Sequence, residues 1–150
     1  MKKYINLSDF ISDFDATILQ SSDLRPALEE IANITQNTAE LSFENQKSPF
    51  GKKWEKLSPR TLKKKRGNKI LIESGMLSQS IRGRVSGSNG VSVGSNLAYA
   101  AIHQFGGGAG RGLKVKIPAR PFLPVENNEL PDDLLDDIKD IILEHLKVGE

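Results

Sequence analysis

His103 and His145 are the two histidines of the chain, and an imidazole that titrates near neutrality is the first place to look for chemistry. They fall in different predicted elements, and no carboxylate–histidine spacing resembles a metal motif. In Ala101-Ile102-His103-Gln104-Phe105 the ring is expected to pack or hydrogen-bond rather than to turn over a substrate. His145 lies near the end of a predicted helix, where its protonated form suits the negative end of the dipole. Five glycines between Gly106 and Gly112 suggest a phosphate cradle, but the stretch lacks the Gly-Lys-Ser/Thr ending of a P-loop and opens no helix. It reads instead as a mobile hairpin loop. Ser74-Gly75 is not part of a Gly-x-Ser-x-Gly elbow. The paired acids Asp132-Asp133 and Asp136-Asp137 read as a solvated helix face. No catalytic, cofactor-binding or metal-ligating residue is assigned, no cofactor is expected, and the chain is read as not an enzyme.

Charge offers more than reactivity. The chain is nearly neutral, with a formal charge of +2, but the charge is unevenly placed. Between Lys52 and Lys69 nine bases stand against Glu55 alone, whereas nine acids from Glu126 to Glu150 face Lys139 and Lys147. Lys52, Lys53, Lys63, Lys64, Lys65 and Arg66 are therefore candidate contacts for a DNA backbone or an acidic partner. Trp54 is the one aromatic within the basic cluster, which is too few for a base-stacking platform. No helix-turn-helix or zinc-finger pattern is present.

These side chains need a scaffold of one domain's size, which 150 residues provide. The absence of cysteine fits a protein made in a reducing cytosol, and no run approaches the ~20 apolar residues of a membrane span. Phe10, Ile11, Phe14 and Ile18 have helical spacing, so residues 1–22 read as a short helix or a flexible arm. A better-marked helix starts at Asp23, carries Pro26 in its first turn, and ends near Phe43 or Asn45. Its apolar stripe is Leu24, Leu28, Ile31, Ile34 or Thr35, Thr38 and Leu41. Residues 47–69 read as a flexible basic loop pinned by Trp54, with a short helix opening at Ser58-Pro59. Strands are expected around Ile81–Val85, Val91–Gly94 and Leu113–Ile117, with a turn at Ser88-Asn89-Gly90 and a compact helical turn over Ala98–Phe105. Three prolines keep Pro118–Pro124 extended. The last helix opens at Pro131 and buries Leu134, Leu135, Ile138, Ile141, Ile142 and Leu146. The expected fold is α+β, two or three helices packed on a small antiparallel β-sheet with long flexible loops.

Four blocks carry a family resemblance. Gly51-Lys52-Lys53-Trp54 through Leu57-Ser58-Pro59-Arg60-Thr61 fits the pattern G-x-x-W-x-x-L-S-P-x-T. Leu71 through Ile81, with Ser74-Gly75 and Ser80-Ile81, fits L-x-x-[ST]-G-x-L-x-x-S-I. Tyr99-Ala100-Ala101-Ile102-His103-Gln104-Phe105-Gly106 fits Y-A-x-x-H-Q-F-G, and Ile117-Pro118-Ala119-Arg120-Pro121-Phe122-Leu123 fits I-P-A-R-P-F-L. In this order the blocks resemble the phage virion morphogenesis family, which includes the G protein of Mu-like phages and prophages and tail completion proteins. The resemblance covers roughly residues 24–146, and residues 23–147 are assigned as one virion morphogenesis domain.

The resemblance implies a structural protein at the tail or neck of a virion, made in the host bacterial cytoplasm and built into the particle. Its implied partners are other tail or neck proteins and copies of itself, closed into a ring on assembly from a subunit that is monomeric in isolation. No membrane partner is implied, and a nonspecific DNA-binding accessory role for Lys52–Lys69 is the alternative. Trp54, Tyr99, His103, Phe105, Arg120 and Phe122 are the candidate interface or structural residues. Arg120 and Phe122 can either grip a neighbour or close the subunit's own core, and both readings stand at this point.

Overall fold

The computed structural model describes residues 23–148, so the arm or helix expected over residues 1–22 lies outside the described residues. The fold is α+β, and its strands form two separate two-stranded antiparallel sheets. The chain divides into two compact units, each treated by itself. The described part of the first comprises residues 23–37, 83–93 and 125–148, and the second comprises residues 38–82 and 94–124. The longest helix, α1 (Arg25–Asn45), contributes its start to the first unit and its end to the second.

In the first unit α1 begins as its sequence suggests. The Asp23 carboxylate accepts the Arg25 N–H at 3.1 Å, and Pro26 sits in the opening turn where no helical donor is needed. Ala27 and Ile31 join Leu134, Ile138, Ile141, Ile142 and Leu146 of the last helix in one core. That helix, numbered α5 below, spans Asp132–Val148 directly after the buried Pro131, and all six of its expected core residues are buried. Strands β1 (Arg82–Ser86) and β2 (Gly90–Gly94) form a hairpin, and Val91 packs against the same core. Gly83 lies so close to α1 that a Cβ there would collide with the Ala32 carbonyl. Its N–H donates to Gln36 Oε1 at 2.9 Å. At the other end of α5, His145 Nδ1 donates to the Ile141 carbonyl at 2.8 Å, a local use of the ring.

The second unit departs from the expected pattern in two places. Leu41, placed on the apolar stripe by periodicity, is exposed, while Ala39, Ser42 and Phe43 are buried. The reason is packing: the Phe43 ring is 5.5 Å from Trp54 and 5.3 Å from Phe122, and that contact turns the buried side of the helix. The glycine-rich stretch is also more regular than a mobile loop. β3 (Gly107–Ala109) pairs antiparallel with β4 (Val115–Ile117), joined by a 3-10 turn at Arg111–Leu113. Pairing with β4 satisfies backbone groups that composition alone would leave to water.

The basic segment 47–69 has local order. Lys47 bridges Lys53 around a turn at Gly51, Trp54 is buried, and α2 (Pro59–Lys64) follows with Ser58 Oγ accepting the Thr61 N–H. Gln46 holds the end of α1 by donating to the Phe43 and Ile70 carbonyls and accepting the Ile70 N–H. Two further helices, α3 (Met76–Gln79) and α4 (Ala100–Phe105), complete the unit.

Candidate functional site

Three of the four sequence blocks meet in the second unit. The extended strap Pro118–Pro124 is their junction, and each tie to it uses a residue type that the geometry demands. Gln104, buried on α4, accepts the Phe122 and Leu123 N–H groups at 2.9 and 3.0 Å with one side-chain oxygen. Arg120 donates its own N–H to the His103 carbonyl at 2.8 Å. Its guanidinium donates to the Glu55 carbonyl at 2.8 Å and the Lys56 carbonyl at 3.2 Å. A planar fork with fixed donors suits two successive carbonyls, and a lysine would not span them. Trp54 Nε1 donates to the Pro121 carbonyl at 2.8 Å.

Gly106 closes the junction. Its φ is +72°, and a Cβ there would lie 2.8 Å from Ala119 N and 2.9 Å from the Ile117 carbonyl oxygen. Only glycine meets both demands.

Trp54, Arg120 and Phe122 are therefore interior residues of the subunit. Tyr99 and Phe105 are not. Phe105 is 75% exposed, and two apolar residues of the following hairpin, Leu113 and Val115, are 70% and 55% exposed. All three fall within one short run of chain, α4 through β4. Isolated exposed leucines need no explanation, but one large apolar side chain at the end of α4 and two on the hairpin after it are more apolar exposure than one short run of chain usually shows.

A cleft of about 760 Å³ opens beside the junction. Tyr99, His103 and Arg120 line it together with Ser58, Lys65 and Lys116. The Tyr99 and His103 rings meet edge to face, with centroids 6.0 Å apart. Burial, and then the Arg120 guanidinium, hold the His103 pKa below its ordinary value of 6.5. Its Nδ1 is buried with no hydrogen-bond partner, so the ring is held neutral. A base whose folded pKa is depressed costs stability once the unfolded chain takes up protons. The contribution is intact above about pH 6.5 and is lost as pH falls from there through the lower folded value. Thermal melts of wild type should fall over that window, and His103→Gln should flatten the fall. An identical pH profile in both proteins would remove this account of His103.

Lys52, Lys53, Lys63, Lys64 and Arg66 are exposed, Lys65 is half-buried, and α2 has no buried residue. Among the described residues no group of three or more His, Asp or Glu side chains is placed to hold a metal ion. No described helix is long and apolar enough to cross a membrane. Sequence reasoning missed Gln104, Phe43, Leu113 and Val115. Gln104 stood beside His103 inside a matched block and was legible there as a polar residue on a small-residue helix; the alternation over Leu113–Ile117 marked Leu113 and Val115 as a strand's apolar face but not as exposed, and Phe43 stood only at the expected end of its helix.

The model of the phage virion morphogenesis family matches residues 5–147. The Mu-like prophage FluMu G protein 2 of Haemophilus influenzae is 35% identical over 135 residues, covering 90% of each chain. No solved structure matches the chain. With a family match over nearly the whole sequence and a relative 35% identical over 90% of each chain, the chain belongs to the phage virion morphogenesis family.

Proposed function

We propose that the protein completes the tail or joins it to the head, as a non-catalytic subunit assembling through protein–protein contacts into a ring. The observation that carries this reading is the apolar run from the end of α4 into the hairpin: Phe105, Leu113 and Val115 are left in solvent by a subunit that buries Trp54, Phe43 and Phe122 efficiently. A hairpin of this composition gains free energy when a neighbour covers it, and three large apolar side chains contribute several kcal/mol on burial. The subunit is synthesised in the bacterial cytoplasm, remains monomeric when dilute, and enters the virion beside other tail or neck proteins.

Phe105→Ser tests the reading directly. The side chain is exposed, so the isolated subunit should melt within about 0.5 kcal/mol of wild type. Supplied in place of the wild-type gene, the variant should give few complete particles, with heads and tails found separate by electron microscopy. Normal yields of infectious particles from Phe105→Ser combined with Leu113→Ser would sink the proposal.

The DNA-binding alternative has its own support in α2, where Arg60, Lys63 and Lys64 are exposed on an unburied helix. It requires a salt-sensitive gel shift by the wild-type protein that Lys63→Ala, Lys64→Ala, Lys65→Ala and Arg66→Ala together abolish.

A further inference from the structure

Helix α2 is an anomaly of packing. It has six residues, none buried, and its one apolar side chain, Leu62, is 46% exposed. Six residues are too few to be stable by helix propensity, and this helix gains nothing from a core. Around Leu62 stand Arg60, Lys63 and Lys64, all exposed, and no acid occurs from Lys56 to Ile72.

The outer face of α5 is its complement in charge and in form. At 100° per residue, Asp132, Asp133, Asp136, Asp137, Asp140 and Glu144 fall within an arc of about 140° opposite the buried stripe. Within that arc lies one apolar side chain, Leu143, 40% exposed. Half-buried Lys139 stands at the margin of the arc. None of these six acids, nor Arg60, Lys63 or Lys64, forms an ion pair with another described residue.

We propose that copies of this chain join head to tail, with the cationic helix α2 of one copy seated on the acidic outer face of α5 of the next. The inference rests on the assembly reading above and names the partner of the basic segment. A second copy fits better than a nucleic acid for two reasons. Each chain carries both signs in separate patches and is nearly neutral overall, so its acidic face repels a polyanion while its own copies complement it. An exposed leucine within each patch is also matched by the other leucine, whereas phosphate has no use for it. Because the two patches differ, the contact is heterologous, and repetition closes a ring or continues a stack.

Charge reversal tests the pairing. Arg60→Glu, Lys63→Glu and Lys64→Glu reverse α2; Asp133→Lys, Asp136→Lys and Asp140→Lys reverse the face of α5. Each set alone should weaken the salt-sensitive self-association seen by sedimentation at low ionic strength by about tenfold or more. A chain carrying both sets should recover it, because the signs match again. Melting curves of the four proteins, which change exposed residues only, report on folding separately.

The chain has no cysteine, which permits a second readout. A mixture of Lys64→Cys and Asp136→Cys proteins should form an intermolecular disulfide faster than either protein alone. Recovery in the doubly reversed chain, with preferential disulfide formation in the mixture, supports the contact. No recovery, or loss on reversing α2 that is matched by lost gel shift with DNA and unaffected by α5, overturns it. Infectious yield from a gene-deleted phage is scored in parallel. Normal yield without the gene would remove the tail or neck role, while the sedimentation result would still decide the contact.

Discussion

Phe122→Ala should lower the unfolding free energy by about 3–5 kcal/mol, the range found when a fully enclosed phenylalanine is truncated. The ring is essentially inaccessible to solvent and lies 5.3 Å from the Phe43 ring, which in turn meets Trp54 edge to face. Truncation removes one end of an aromatic series centred on Phe43, and the cavity cannot collapse easily. The Phe122 N–H is held by Gln104, Arg120 is pinned to the Glu55 and Lys56 carbonyls, and Trp54 holds the Pro121 carbonyl. Those bonds keep the strap in place around the void. Urea unfolding checks the result, with Phe105→Ala as the control: that side chain is three-quarters exposed and should cost less than about 1 kcal/mol. Equal losses from the two truncations would mean that the junction is not the core of its unit.

The same contrast shows what can be read from the sequence. Helix α5 was legible because its buried positions are all Leu or Ile at helical spacing and its exposed face is charged. The second half of α1 was not. Its core side is made by Ala39, Ser42 and Phe43, two of them small, while Leu41 points to solvent. Periodicity weighs a leucine above an alanine or serine, and only the rings of Trp54 and Phe122 reverse that order. The four blocks were recognisable, but their meeting was not. Arg120 reaches the carbonyl of Glu55 and Trp54 reaches that of Pro121 across 65 and 67 residues respectively, and no local pattern encodes such pairs.

This bears on the residues singled out for assembly. A side chain buried with both partners inside its own subunit can act on a neighbour only by shaping what lies on the surface. Arg120 and Gln104 hold the strap and α4, and α4 ends at the exposed Phe105 and leads directly into the hairpin that displays Leu113 and Val115. The buried junction and the exposed hairpin are therefore one device: rigidity inside reduces the ordering cost when the hairpin is covered.

Gly83→Val is expected to cost about 3 kcal/mol, the upper part of the usual range for overpacking, within the first unit. The backbone of Gly83 has no positive φ, so any residue tolerates its conformation; the obstacle is space. The nearest atoms to an added Cβ are the backbone carbonyl of Ala32 and the Cβ of Gln36, so no rotamer change relieves the overlap. Strand β1 must move away from α1, and in moving it gives up the 2.9 Å bond from Gly83 N–H to Gln36 Oε1. The two losses share one cause, which makes a sharp check possible. Gln36→Ala alone should cost roughly 1 kcal/mol, but added to Gly83→Val it should cost much less, because the bond is already broken. Gly67→Ala, with nothing within 4 Å of the new Cβ, should be close to neutral. Strict additivity of Gly83→Val and Gln36→Ala in urea unfolding would show that the strand is held against the helix by something other than this close approach.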